Sequence, residues 1–289
     1  MSLMFNHISI AIRSARLVLA LPIFINVWIL TFLLLHSWRD GFLLGTALSC
    51  ISAFGFLIND LWDLRADREN KSGRLESAPP IVLVIAATLA ASFLIAGLSG
   101  GILLGTRGFT GLLAISIGLI AYTYWIRPKL ILANLLAAVL ASSPVWLPNV
   151  VFNQPPNLAQ SVLISVAAIM LFGREIVFDV VDEAGDAKVK RRTLPILLGK
   201  KVAIRFAAIW QLSGCALLTL FSVIMLRDLP FDMGLLLCVT LIIFVILLVP
   251  INFTVFQENE NCRLIQRFIL RTRLAMCLLP VIMFVFLSR

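Results

Sequence analysis

The chain has 289 residues, of which 61% are hydrophobic and 13% charged, and its mean hydropathy is +1.02. A soluble domain carries about a quarter charged residues, so this composition excludes soluble globular, disordered and nucleic-acid-binding proteins and leaves the membrane class. The net charge of +9 is then first a question of which loops face the cytoplasm.

A spanning helix needs about 20 mostly apolar residues. Nine such windows follow one another: 15–36, 41–62, 79–99, 108–126, 130–152, 158–180, 201–225, 230–255 and 265–287. The expected fold is all-α: a polytopic membrane protein, nine transmembrane helices bundled around a central cavity, forming one domain over 1–289. The first window runs into Trp38, Arg39 and Asp40 without a small-residue cleavage site, so it is expected to stay as a membrane helix. Gly100, Gly101 and Gly105 mark the turn between the third and fourth windows, and Asn153 to Pro156 a sharper break. The five cysteines match no metal or redox spacing and read as small core residues.

With the N-terminus inside, 20 of the 24 basic residues fall on the cytoplasmic side, and only Arg39, Arg107, Arg227 and Arg289 fall outside. This places the C-terminus outside and makes orientation the main reason for the positive charge. The same inner side takes 12 of the 15 carboxylates, most of them in two stretches. Asn59, Asp60, Asp63 and Asp67 fall within about 100° of a helix face, and Glu175, Asp179, Asp182 and Asp186 within about 60°. Acids at membrane depth are expensive and normally line a functional cavity, and like charges one turn apart repel. Two facing carboxylate stripes suit a hard divalent cation, since Mg²⁺ takes oxygen ligands and shares them with substrate phosphate. Arg74, Arg127, Lys129, Lys188 and Arg192 are the nearby cations that could complete such a clamp.

These motifs resemble those of the UbiA-type intramembrane prenyltransferase family. The first, NDxxDxxxD, is complete as Asn59, Asp60, Asp63 and Asp67; the second reads Asp179, Asp182 and Asp186, followed by Thr193, Leu194 and Pro195. Tyr122, Arg127 and Asn134 resemble the family's intervening segment, and Arg16 and Asn26 its positions on the first helix. The resemblance implies Mg²⁺-dependent transfer of an isoprenoid chain from a prenyl diphosphate to an acceptor within the bilayer. It also implies a cavity open laterally to lipid and capped by the aspartate loops, which face the cytoplasm. On this basis the six aspartates are the catalytic and, with Asn59, the metal-binding candidates. Arg16, Asn26, Asn59, Arg74, Tyr122, Arg127, Lys129, Asn134, Lys188 and Arg192 are the substrate-binding candidates.

An aromatic acceptor is the main reading, with a prenylated glyceryl phosphate, or cyclisation of the prenyl chain without an acceptor, as alternatives. A transporter fits less well, for want of paired inverted repeats. Phe54, Phe56, Trp62, Tyr122, Tyr124, Trp125 and Phe178, beside the motifs, are candidates to face an allylic cation. The sequence departs from the family in the loop Asn70 to Leu75, which lacks its prolines, and around Lys190, which stands in a stretch where many members have glycine. The run Lys188 to Arg192 is therefore also expected to meet lipid headgroups.

Overall fold

The computed structural model describes residues 2–64, 67, 75, 78–258, 267, 270–272 and 274–287, and among them there are helices and no strands. In chain order the helices are α1 (Ser2–Ser14), α2 (Leu17–Leu35), α3 (Trp38–Trp62), α4 (Pro80–Leu103), α5 (Thr106–Ala121), α6 (Leu130–Ala141) and α7 (Ser143–Val151). They continue as α8 (Leu158–Lys188), α9 (Leu194–Leu198), α10 (Lys200–Met225), α11 (Phe231–Glu258) and α12 (Leu279–Leu287), with a π-helical turn at Tyr122–Ile126 after α5.

Among the described residues seven helical stretches are long and apolar enough to cross a bilayer, or eight if the bent pair α6 and α7 is one span. The ninth window, 265–287, lies partly outside the described residues; within it α12 covers Leu279–Leu287. Two boundaries differ from the apolar windows. The first span begins earlier, running His7–Leu35 through a bend at Arg16, whose backbone is left-handed at φ 50. The fifth window divides into two helices at 61°, because Pro144 at the start of α7 cannot donate the hydrogen bond that would continue α6.

Packing is dense on both sides of the site. Ala11, Ala15, Phe54, Leu57, Val82 and Ala86 bury α1, α3 and α4 against one another. On the other side Leu171, Ile176, Val177, Ile204 and Ala207 join α8 to α10. With lipid as solvent, helices associate through close backbone approach at small residues. Gly173 is such a point: a Cβ there would stand 2.7 Å from the Ala207 carbonyl oxygen. Helix α8 has 31 residues, about 46 Å at 1.5 Å per residue, more than a hydrocarbon layer of about 30 Å requires. Its last turns carry the second aspartate motif.

Candidate active site

The site forms where the ends of α3, α5 and α8 meet the bend between α1 and α2. Asp60, on the last turn of α3, is 2% exposed and accepts a hydrogen bond of 2.6 Å from Arg16 Nη2. The left-handed backbone of Arg16 ends α1 where the side chain can reach α3. The same guanidinium lies 5.1 Å above the Phe56 ring.

Asp63 caps the end of α3 and is the node of the site. Arg127 Nη1 donates to its Oδ2 and to Asn59 Oδ1, while Arg191 Nη2 donates to its Oδ1. Arg127 reaches this point because the π turn widens the end of α5, closing with a bond from the Arg127 N–H to the Tyr122 carbonyl. Such turns often mark functional positions. Burial, then the neighbouring Arg191, pull the Arg127 pKa down to about 10, so Arg127 remains charged at neutral pH.

The second motif lies opposite. Arg191 Nη1 donates to Asp186 Oδ1 at 2.9 Å, so one guanidinium joins Asp63 to Asp186 across the two motifs. Asp182 Oδ2 stands 4.0 Å from Arg127 Nη2, and Asp179 accepts 2.8 Å from the Asn134 side chain on α6. One turn earlier Glu175 is paired with Arg174 at 2.6 Å. Asp67 continues the first stripe by one turn, through a bond from its N–H to the Asp63 carbonyl. Burial first, then the charges of Asp60 and Asp182, push its carboxyl up to about 6.

A cavity of about 310 Å³ opens beside Asp63, lined by Trp62, Asp63, Thr123, Tyr124, Arg127, Pro128, Val189 and Arg191. Of the aromatic residues beside the motifs, Trp62 and Tyr124 line it, in edge contact at 4.4 Å. Phe54 belongs to the core, while Phe56 and Phe178 lie under the guanidiniums of Arg16 and Arg174.

Other expected site residues lie further out. Lys129, Lys188 and Arg192 are exposed; an isolated parallel bridge between Lys129 and Arg192 holds two of them side by side. Asn26 is buried and donates to the Pro22 carbonyl at 2.7 Å within α2. Arg74 falls outside the described residues.

Arg191 is the residue that sequence reasoning passed over in favour of Arg192. Extending the α8 helical phase would put Arg191 about 160° from Glu175, on the far side. The helix instead ends at Lys188, and Lys190 turns the chain back with φ 58, which aims Arg191 into the site. Lys190 thus occupies a position whose backbone favours glycine. Lys190→Gly is expected to raise stability by about 1 kcal/mol, the scale of the left-handed penalty, measured as an upward shift in thermal unfolding. An unchanged or lowered melting temperature would refute that strain.

The fit of a divalent cation is mixed but positive. Among the described residues no three His, Cys, Asp or Glu side chains converge as a ready metal cage; the acids are held by arginines and Asn134. Yet Asp60 Oδ2 is buried without a hydrogen-bond partner, a position that costs about 1–3 kcal/mol unless something pairs with it. Asp67 is crowded by two other carboxylates. Hard oxygen donors in this supply suit Mg²⁺ held by one or two carboxylates together with substrate phosphate.

Residues 17–253 match the sequence profile of the UbiA prenyltransferase family. A digeranylgeranylglyceryl phosphate synthase of Methanoculleus marisnigri is 33% identical over 170 residues, covering 57% of this chain and 59% of that one, so the match spans less than two thirds of that relative's length. The synthase of the same name from Saccharolobus solfataricus is 29% identical over 238 residues, 81% of each chain. A UbiA homologue of Archaeoglobus fulgidus, solved bound to GPP and Mg²⁺, has the same fold, with a TM-score of 0.66 at 16% identity over 96% of this chain and 98% of that one. Matched over most of its length and folded as these proteins are, this integral membrane protein belongs to the UbiA prenyltransferase family.

Proposed function

We propose that this chain transfers an isoprenoid group from its allylic diphosphate to a hydroxyl of a prenylated glyceryl phosphate. The carrying observation is the cavity lined by Asp63 of the first motif and by Arg127 and Arg191, with Arg191 tied to Asp186 of the second motif, and with Lys129, Lys188 and Arg192 exposed nearby in the chain. A phosphate-bearing acceptor fits those exposed cations, beyond the groups assigned to the diphosphate. The names of the Methanoculleus and Saccharolobus relatives support the same acceptor, in preference to the aromatic one.

In the reaction the carbon–oxygen bond of the prenyl diphosphate breaks and diphosphate leaves with the electron pair. The acceptor hydroxyl oxygen forms the new ether bond and releases its proton. Asp60, Asp63, Asp67, Asp182 and Asp186 are the carboxylates from which one or two would hold Mg²⁺ together with the diphosphate, and the ion would supply positive charge to the leaving group. Arg127 and Arg191 face the cavity with fixed positive charge, where electrostatic stabilisation of the leaving group is strongest. Asn134 holds Asp179 in place. Trp62 and Tyr124 present ring faces and edges to the reacting carbon and, with the apolar bundle, limit water.

The orientation proposed is the one read from the charges, with both motifs and the N-terminus cytoplasmic; an impermeant thiol reagent that labelled a cysteine probe at Ala187 in sealed cells would refute it. To test the reaction, the purified chain is incubated with Mg²⁺ and prenyl diphosphates of several lengths. Geranylgeranylglyceryl phosphate, a phenolic acceptor or no acceptor is then added, and products are read by mass spectrometry. Ether product with the glyceryl phosphate alone is expected. Prenylated phenol in its place would restore the aromatic reading, and a hydrocarbon formed without acceptor would replace transfer by cyclisation.

A further inference from the structure

We infer that Arg191 stands between the two aspartate motifs in place of a cation, and that it moves from Asp63 to the diphosphate when the cation and diphosphate are bound together. The inference rests on the diphosphate reading above and goes beyond it, to how the site is held and filled. Arg191 uses different nitrogens for the two motifs, Nη2 on Asp63 Oδ1 and Nη1 on Asp186 Oδ1. Its side chain is 9% exposed. Both Asp63 oxygens already accept from a guanidinium, since Arg127 holds Oδ2. A bare cation approaching Asp63 therefore meets two guanidinium charges, and the repulsion is relieved when one of them moves away.

Arg191 is the one placed to move. Arg127 is also tied to Asn59 and sits at the end of a helical turn, whereas Arg191 follows the last turn of α8. Its backbone is pinned on both sides, by the Arg191 N–H bond to the Asp186 carbonyl and by the bridge from Arg192 to Lys129. The exchange is thus a swing of one side chain within the cavity it lines. A cation alone gives the displaced guanidinium no new partner. A cation arriving with diphosphate does, because phosphate oxygens accept the planar fork as well as a carboxylate does. Arg191 thereby makes binding of the two cooperative, each strengthening the other by the same factor.

The test uses the full chain in detergent, with Mn²⁺ binding followed by electron paramagnetic resonance and inorganic pyrophosphate as the anion. In the wild type, pyrophosphate is expected to tighten Mn²⁺ binding. Arg191→Gln is expected to tighten Mn²⁺ binding without pyrophosphate by about tenfold, the scale on which groups around a metal site alter its affinity, and to lose most of the pyrophosphate effect. Arg191→Lys keeps the charge and the fold while giving up one arm of the fork, and is expected to shift both quantities in the same directions by less. Lys201→Gln, an equal charge change at the exposed start of α10, should leave both unchanged. Mn²⁺ binding in either Arg191 variant that is no tighter than wild type would overturn the role of Arg191. A wild type that binds neither Mn²⁺ nor pyrophosphate would instead remove the diphosphate reading itself.

Discussion

Asp63→Ala is expected to slow turnover by at least about 100-fold, the loss seen when one electrostatic stabiliser of a reacting centre is removed. It should also lower folding stability by about 3–5 kcal/mol, because removing one partner of a buried ion pair leaves the others uncompensated. The second effect follows from geometry that spacing alone does not reveal. Asp63 is 2% exposed and takes both Arg127 and Arg191, so alanine would strand two guanidiniums in a poorly hydrated pocket. Steady-state rates and thermal unfolding in detergent, measured on the same preparations, separate the two losses. Wild-type stability in the variant would mean that the arginines are not held by Asp63. Wild-type turnover would take Asp63 out of the reaction.

Removing divalent cations should cost turnover without costing stability. Excess chelator is expected to abolish turnover, with Mg²⁺ restoring it, while the melting temperature hardly moves. The reason is that the metal-free acids are already neutralised within the protein. Asp60 is held by Arg16, Asp63 by Arg127 and Arg191, and Asp186 by Arg191. Structural metal sites behave otherwise, since there the ion supplies folding energy and chelators unfold the domain. Full activity in chelator would remove the cation from the reaction, and a large fall in melting temperature would show that arginine pairing does not hold the motifs together.

The spanning helices and both aspartate motifs were legible in the sequence because apolar length and helical phase are local properties. Asn59, Asp60 and Asp63 share the end of α3, and Asp179, Asp182 and Asp186 share α8, as their spacing requires. Arg127 reaches the first motif and Asn134 the second, although the π turn that sets the reach of Arg127 leaves no trace in hydropathy. Phase stops being informative where a helix stops. Lys190, in the left-handed region, reverses the chain just past α8 and exchanges the roles of Arg191 and Arg192, which a charge count treats as equivalent. In the same way a continuous apolar window hid the bend at Pro144, because hydropathy does not register a missing N–H. Asn26 looked like a binding residue by position, and its amide is engaged within its own helix.

The sequence separation of the site's partners imposes an order on its assembly during synthesis. Arg16 precedes Asp60 by 44 residues, so that pair can close as soon as α3 enters the membrane beside α2. Asp63 must wait for Arg127, 64 residues later, and for Arg191, 128 residues later. Until those residues are made, an acidic group at the end of α3 stands without the full set of counter-ions it has in the finished protein, at the membrane surface where water can still solvate it. The site is thus closed in stages along the chain, and the last of the ion pairs made by Asp63 is the one that joins the two motifs.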